Sequence, residues 1–388
     1  MEQLLFSPLK IRDLTLKNRI AISPMSQHMA TGGVPTNWHL VHVGQFALGG
    51  AALVLMESTA VSAEGMSGHD DIGLWTDEQE NAFKPIVAFC HSQQTAIGIQ
   101  LSHAGRKAGK HALWKGDKPL TLEEMQAVSG SWRRVAPSAT AMEGAWTVPH
   151  PLTKDEILEV VGSFAYAARR ADRAGFDVLE LHFAHGYLVA QFLSPLTNLR
   201  GDEYGGSIEN RMRLAIEIVS AVRRHWPASK PLICRISAVD GGGAQGWTLE
   251  DSVLFARVLK QHGVDVIDCS SGGIAQSPTA SARGLGFQVP YASRIRLGAD
   301  ICVQAVGFII DPEQAEEILR NGDADLVAIG REALFDPYWP NHTKAAMDKK
   351  SQFVGWPEPY RMWLQKRAPV LADALASVRE DGARKALA

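Results

Sequence analysis

The sequence predicts an α/β protein folded as a closed (β/α)8 TIM barrel, with a capping excursion after the third strand and a C-terminal arm. Eight short, largely β-branched runs alternate with segments of helical periodicity, which is the signature of parallel βαβ units. An open doubly wound sheet would usually carry a GxGxxG after its first strand, and none is present. The 388-residue length fits one barrel, because such domains span about 200 to more than 400 residues.

The predicted strands are short and bounded by turn residues. They are Arg19–Ile22, Leu53–Glu57, Ala96–Leu101, Val178–His182, Leu232–Ile236, Val266–Cys269, Ile301–Val306 and Leu326–Ile329. Helical periodicity is clearest in the intervening segments Lys154–Ala174, Ser207–Trp226, Thr248–His262 and Asp311–Asn321. In the last of these, Asp311 followed by Pro312 is typical of an N-cap and a first helical residue.

Two segments exceed what a simple barrel needs. Residues 109–153 contain Trp114, Trp132 and Trp146 and follow the third strand, where a loop rises over the C-terminal face of a barrel. We interpret this segment as a cap or lid within a single barrel of residues 1–340; a hydrophobic mini-core that only covers the barrel is an equal alternative. Residues 341–388 form the arm, and aromatic residues beyond a completed barrel favour a subunit interface in a homodimer or higher homo-oligomer.

The composition excludes several classes of partner. The 39 Lys and Arg and the 42 Asp and Glu are mixed along the chain, so we expect no nucleic acid and no anionic membrane as partner. Neither a signal peptide nor a membrane span is predicted. Four cysteines without a CxxC pair predict reduced thiols rather than disulfides or zinc ligands, and therefore a cytoplasmic location: Cys90, Cys234, Cys269 and Cys302.

Candidate site residues follow the strands, because barrel chemistry gathers at the C-terminal strand ends. The residues singled out there are Ser23, Pro24, Met25, Ser26, Ser58, Ala60, Gln100, His103, His182, His185, Arg235, Ser270, Gly307, Gly330 and Arg331. The glycines and the arginine after the last two strands suit a phosphate site, although a glycine there is more often a plain turn. The run at residues 241–243 is interpreted as a loop, because no GK[ST] follows it.

His182, His185 and Tyr187 cluster at the end of the fourth predicted strand. Strand side chains alternate faces, so the two imidazoles converge only if the strand ends between them. They could then both donate to one carbonyl oxygen while the phenol delivers a proton. The alternatives are satisfied core histidines or a zinc site, but HxxH has no obvious third ligand and no HExxH occurs, so no metal is expected.

Arg235 lies inside an otherwise apolar strand. A buried guanidinium needs an anionic or strongly accepting partner. The arginine therefore either faces a bound anionic ligand or pairs with an acid on a neighbouring strand, such as Glu57 or Glu180.

The chain resembles the Old Yellow Enzyme family of flavin-dependent ene reductases, in the branch that includes xenobiotic reductase A and the thermophilic-like members. The resemblance runs from Leu4 to about Trp363. It rests on LKNRIAISPM (Leu16–Met25), GIQLSHAGRK (Gly98–Lys107), AGFDVLELHFAHGYLVAQFLSPLTNLRGDEYGGSIENR (Ala174–Arg211) and DLVAIGRE (Asp325–Glu332).

The resemblance implies a barrel that holds FMN, takes hydride from NADPH or NADH, and reduces α,β-unsaturated carbonyl compounds. It implies flavin contacts at Ser23, Pro24, Met25, Ser26, Ala60, Gln100 and Arg235, and phosphate contacts at Gly307, Gly330 and Arg331. His182 and His185 match the pair that binds the substrate carbonyl oxygen, and Tyr187 matches the proton donor. Trp363 matches a C-terminal tryptophan of the substrate site, and Arg361 lies near an arginine that other members insert into the neighbouring subunit.

Two departures concern the first strand. The branch usually has Cys where this chain has Ser26, and Tyr where it has His28, which the resemblance implies is substrate-binding. After the seventh strand, Val306 stands where xenobiotic reductase A has tryptophan, so a more open wall is expected. These differences leave a specialised pathway reductase or desaturase, with poor activity on simple enones, as an alternative. A flavin-free lyase-type barrel is a third possibility.

Overall fold

The closed barrel is confirmed. In a computed structural model, which describes residues 3–128, 132–142, 144, 146–275, 284–348 and 353–386, eight parallel strands close in the order β10-β11-β12-β3-β4-β5-β8-β9. These strands are β3 (Ile20–Ile22), β4 (Leu53–Ala60), β5 (Ala96–Ser102), β8 (Val178–Phe183), β9 (Leu232–Ser237), β10 (Val266–Ser270), β11 (Cys302–Val306) and β12 (Leu326–Ile329). Each overlaps one predicted strand. They are almost entirely buried, as expected for parallel strands covered by helices.

The helices surround the barrel. They are α1 (Asn37–Leu48), α2 (Asp77–Ser92), α3 (Leu122–Val128), α4 (Lys154–Ala174), α5 (Leu188–Leu193), α6 (Ile208–Arg223), α7 (Leu249–Gln261), α8 (Val289–Ala299), α9 (Pro312–Arg320), α10 (Arg331–Phe335), α11 (Trp339–Met347) and α12 (Glu358–Ala386). Single 3-10 turns occur at Leu4–Phe6, Gly105–Lys107, Leu113–Lys115 and Gly243–Gln245.

Local capping explains where several helices begin. Thr153 and Glu156 form a capping box at the start of α4. The Asp311 side chain accepts hydrogen bonds from the first-turn backbone N–H groups of α9, with Pro312 at its first position. The predicted N-cap and helix start are therefore confirmed.

The N-terminal ends of the strands are tied by three aspartates, Asp177, Asp265 and Asp325. Each directly precedes a strand and accepts the backbone N–H near the start of a neighbouring strand, at 2.9, 2.8 and 3.0 Å respectively. Each is also ion-paired, Asp177 with His91, Asp265 with Arg12 and Arg223, and Asp325 with Arg296.

The long excursion after β5 has short elements of its own. Besides α3, it contains β6 (Val135–Ala136) and β7 (His150–Pro151), which pair in parallel. Trp132 is buried in a small apolar cluster with Ala60 and Met125. The Arg134 guanidinium donates to three main-chain carbonyls, those of Ala108, Gly109 and Leu120. The excursion is thus packed onto the end of β4.

Two peripheral elements complete the described chain. A hairpin of β1 (Leu9–Ile11) and β2 (Leu14–Leu16) precedes the barrel. The arm ends in α12, on which the Trp363 side chain is 65% exposed. None of the helices in the described ranges combines the length and the apolar character needed to cross a membrane.

Candidate active site

The C-terminal strand ends enclose two adjoining cavities. One, of about 120 Å³, is lined by Pro24, Ser26, Ser58, Gln100, His182, His185, Tyr187 and Arg235. The other, of about 300 Å³, shares Pro24, His185 and Arg235 and continues to Ser23, Met25, Ser270, Ser271, Phe287, Gln288, Val306, Gly307, Gly330 and Arg331. A smaller hollow at the ends of β11 and β12 shares the last four of these residues. Together the cavities form one trough across the barrel mouth.

The two histidines converge because the chain turns sharply after β8. His182 lies in β8, whereas His185 has a left-handed backbone with φ 57°. The ring centroids are 5.0 Å apart and nearly perpendicular, and His185 Nδ1 lies 3.3 Å from His182 Nε2. The backbone N–H of Ala184 donates to His182 Nδ1, so the ring proton of neutral His182 resides on Nε2.

His185 is fixed by the neighbouring strand ends. Its backbone N–H donates to Ser237 Oγ, and its Nε2 lies 2.7 Å from Ser270 Oγ. Burial lowers the pKa of both His182 and His185 well below the usual range, and the nearby charges of Arg235 and Lys107 lower each pKa further. Because the pKa of each imidazole lies below the ordinary histidine value, both are neutral at pH 7.

Tyr187 lies on the same cavity. Its ring is 4.8 Å from that of His182 in an edge-to-face arrangement. Burial raises the pKa of the Tyr187 phenol, so the hydroxyl keeps its proton at neutral pH.

Lys107 lies in the GIQLSHAGRK motif but was not among the predicted site residues. It supports the turn after β8 that contains His185. Its Nζ donates to the carbonyl oxygens of His185 and Gly273, at 2.6 and 2.7 Å. A Cβ on either Gly186 or Gly273 would collide with the other loop's backbone, which explains why both positions have no side chain. Burial lowers the pKa of Lys107 to about 8.

Arg235 pairs with neither of the acids expected from the sequence. Its Nη1 lies 3.3 Å from Oδ2 of Asp268 on the adjacent strand β10. Glu57 Oε1 instead lies 3.1 Å from His39 Nε2, so the prediction of Glu57 as the partner of Arg235 is wrong. Glu180 is close to Arg235, but the ion pair is with Asp268. Arg235 Nε is buried and meets no hydrogen-bond acceptor among the described residues.

The far end of the trough contains small residues and a cation. Gly307 has φ 120°, and a Cβ there would approach Gln288 Nε2 to 2.8 Å. The Arg331 guanidinium lies 4.8 Å from the centre of the Phe308 ring. The glycine cradle and Arg331 fit the phosphate of FMN, and the Nε of Arg235, without an acceptor among the described residues, fits the carbonyl and nitrogen acceptors of its ring.

Four of the expected site residues do not line the trough. His103 is buried, and its Nδ1 accepts the backbone N–H of Gly105. Ala60 packs into the apolar cluster of the cap, and Ser58 lines the cavity from the same strand. His28 is buried with its Nδ1 2.5 Å from Asp71 Oδ1. Trp363 lies exposed on α12 beside Lys366. Within the described ranges, no three His, Cys, Asp or Glu side chains are grouped so as to hold a metal ion.

Fold and site together define a flavin-dependent barrel oxidoreductase. The model of the NADH:flavin oxidoreductase / NADH oxidase family matches residues 4–350, and the chain belongs to this family. It is 44% identical over 342 residues to an NADPH dehydrogenase of Geobacillus sp. (strain WCH70), covering 88% of this chain and 93% of the relative. The protein is accordingly an NAD(P)H-dependent flavin oxidoreductase with FMN as cofactor.

Solved structures agree with the fold. Morphinone reductase, determined in complex with tetrahydroNAD, aligns with a TM-score of 0.73 at 27% identity, covering 91% of this chain and 96% of that one. An old yellow enzyme homologue from Zymomonas mobilis aligns with a TM-score of 0.72 at 27% identity, covering 89% and 93%. The predicted family membership is confirmed.

Proposed function

We propose that the protein is an ene reductase that reduces the activated C=C bond of α,β-unsaturated carbonyl compounds. The observation that carries the proposal is the convergence of two neutral imidazoles and a protonated phenol on the cavity that Arg235 also lines. Hydrogen-bond donors placed where negative charge develops stabilise a transition state most effectively in a buried site.

One group of trough residues would contact the ring of FMN and another would contact its phosphate. Ser23, Pro24, Met25, Ser26, Gln100 and Arg235 would contact the ring, whereas Ala60 packs under the cap instead. Gly307, Gly330 and Arg331 would hold the phosphate. Arg235 would stabilise negative charge on the reduced ring, because its guanidinium is positively charged and its Nε has no acceptor among the described side chains and backbone.

The proposed reaction has two parts, hydride transfer to the substrate and hydrogen bonding with proton transfer from protein side chains. The trough residues would hold FMN, which, once reduced by NADPH or NADH, would supply the hydride for the substrate β-carbon. His182 Nε2–H donates to the substrate carbonyl oxygen; His185 does so from Nδ1 when the Ser270 hydroxyl donates to its Nε2. Tyr187 then gives its proton to the α-carbon, since its raised pKa keeps the phenol protonated until that step.

One observation favours the narrower alternative, a reductase or desaturase for one cyclic pathway intermediate. His28 is paired with Asp71 and does not line the cavity that contains His182, His185 and Tyr187. Ser26 also replaces a polarisable thiol beside the flavin. Poor turnover of simple enones together with good turnover of a bulkier cyclic dienone would favour this alternative.

Assembly and location belong to the same proposal. We expect a homodimer or higher homo-oligomer with residues 341–388 at the interface, where Trp363 or Arg361 enters its own or the neighbouring site. The exposed apolar side chains Met362, Trp363 and Val370 on α12 support this. The four unpaired cysteines support a reducing, cytoplasmic compartment.

Anaerobic titration of the purified protein tests the function. NADPH should bleach the visible flavin absorbance, and stoichiometric 2-cyclohexenone should restore it. Bleaching without recovery, with the dienone also inactive, would contradict C=C reduction. A colourless protein that takes up no added FMN would contradict the proposed flavin site as a whole.

A further inference from the structure

Arg235 is backed by a buried group of polar side chains where barrels usually place branched apolar residues. The group comprises Gln100, Glu180, Asp268 and Gln304, contributed by β5, β8, β10 and β11. Glu180, Asp268 and Gln304 are completely buried, and Gln100 nearly so. Two carboxyl groups and one guanidinium therefore lie together away from bulk solvent, which is costly unless their charges balance.

The contacts leave this group short of hydrogen-bond donors. Gln100 Nε2 donates to Glu180 Oε1 at 2.7 Å, and Asp268 lies 3.3 Å from Arg235 Nη1. Glu180 and Asp268 lie within hydrogen-bonding contact of each other. Oε2 of Glu180 and both oxygens of Asp268 meet no donor in hydrogen-bonding geometry among the described residues. Gln304, on the adjacent strand, is a further donor side chain beside Asp268. A proton held between the two carboxyl groups would give each of them an additional partner.

The position of Arg235 decides which carboxyl group holds that proton. Burial raises the pKa of both Glu180 and Asp268, and the charge of Asp268 raises the pKa of Glu180 further. Because Arg235 is ion-paired with Asp268, the proton resides on Glu180 and the negative charge on Asp268. The group is then electrically neutral, with one guanidinium and one carboxylate.

We propose that Asp268 is a positioning residue that acts through Arg235: its carboxylate holds the guanidinium from behind and reduces the positive charge that Arg235 presents to FMN. An anionic reduced flavin is therefore stabilised less than an unpaired arginine would stabilise it, and the reduction potential is held low. This inference rests on the proposed placement of the flavin ring beside Arg235.

The test compares Glu180→Gln with the double variant Glu180→Gln/Asp268→Asn. Both replacements keep side-chain shape, and the two proteins differ by the single charge of Asp268. The single variant Asp268→Asn is less informative, because Glu180 can release its proton and replace the lost carboxylate.

Equilibrium dye titration of each holoenzyme measures the potential of bound FMN. Glu180→Gln should match the wild type, because it replaces a group that is already neutral. The double variant should favour reduced flavin at least tenfold, which is about 30 mV for a two-electron couple. Its affinity for sulfite, which adds to oxidised flavin and leaves an anionic ring, should rise at least tenfold. Equal potentials and sulfite affinities in the two variants would overturn the proposal.

A second measurement needs no charge-removing variant and covers failure of the double variant to fold. The infrared difference spectrum between oxidised and reduced wild-type enzyme should contain the carbonyl band of a protonated carboxyl group, and Glu180→Gln should lack it. Absence of that band from the wild type would overturn the shared-proton arrangement.

Arg235→Lys separates this inference from the flavin placement. If it leaves the potential and the FMN affinity unchanged, the ring does not lie beside Arg235 and the placement fails. If it shifts the potential while the double variant matches Glu180→Gln, only the role of Asp268 fails.

Discussion

The two ends of the barrel use ionisable groups in opposite ways. At the N-terminal end, Asp177, Asp265 and Asp325 are partly exposed, and each combines an ion pair with a backbone N–H. At the C-terminal end, His182 is buried and His185 is partly buried. Both lie near the cations Lys107 and Arg235, and neither meets a carboxylate partner among the described residues.

This difference indicates that the aspartates at the N-terminal end stabilise the fold and that the histidines at the C-terminal end serve function. The aspartates satisfy the orphan donors at strand starts while solvent lowers the cost of their charge, so they stabilise the fold. The histidines have their pKa depressed by burial and gain little from folding in return. Groups held in that state are typical of functional sites. Replacements at the two ends should therefore have opposite consequences.

The largest effect is expected from His182→Ala/His185→Ala. Loss of donors to the developing oxyanion should reduce enone turnover by about 10³-fold. Phenol binding should weaken as well, whereas the melting temperature should stay constant or rise. Steady-state kinetics and calorimetry measure these quantities. Unchanged turnover, or a loss of activity caused by unfolding, would contradict the assignment of function rather than stability to the two histidines.

Asp265→Asn should produce the reverse pattern. It weakens contacts with Arg12, Arg223 and the N–H of Leu232, so the free energy of unfolding should fall by about 3 kcal/mol. The kcat should remain within about twofold of wild type, since this end is remote from the proton-transfer groups. Denaturant titration measures the loss. Asp300→Asn is the matched control, because Asp300 is fully exposed beside Lys260 and should leave stability unchanged.

The histidine pair should also cost stability in acid. Because the folded-state pKa of both histidines is depressed, the unfolded chain binds more protons as pH falls below about 6.5. Their contribution to stability is therefore present at neutral pH and is lost as pH falls toward the folded-state pKa. Between about pH 7 and pH 5, wild type should lose more stability than His182→Asn/His185→Asn. Parallel curves for the two proteins would refute this.

The smallest effect is expected at Lys107. Lys107→Met should lower kcat by about tenfold, or about 1.4 kcal/mol, because the His185 turn loses its tie to Gly273. Its KM should change little. The ammonium form is lost as pH rises through the Lys107 pKa of about 8, so the wild-type rate should decline there and the variant's should not. Lys115→Met, at an exposed lysine, should behave as wild type. A tenfold loss of kcat in Lys115→Met would show that the loss in Lys107→Met is not specific to the contacts of Lys107.

Strands were predictable from the sequence because each is a buried β-branched run with a turn at either end. The partner of Arg235 was not, because it depends on the register that sets Asp268 opposite Arg235. A register shift between Met56 and Ser58 turns Glu57 toward His39 and leaves Ser58 on the cavity, which simple alternation along the strand does not reveal.

Other site residues depend on features that a linear pattern does not contain. His28 has a left-handed backbone, φ 50°, which carries its ring to Asp71. Trp363 is exposed on α12, and whether it reaches a substrate site, in its own or the neighbouring subunit, depends on packing of the arm that the linear pattern does not contain. By contrast, the His182 and His185 pair was predictable, since its convergence needs only a strand that ends shortly after His182.

The most direct test of the central claim is a rapid-mixing comparison of the two half-reactions. Wild type, His182→Ala/His185→Ala and Tyr187→Phe are each reduced with NADPH and then mixed anaerobically with 2-cyclohexenone. We expect similar flavin reduction in all three, with reoxidation slowed by about 10³-fold in the double variant and about 10²-fold in Tyr187→Phe. Reoxidation at the wild-type rate in both variants would show that this buried cluster does not carry the reaction.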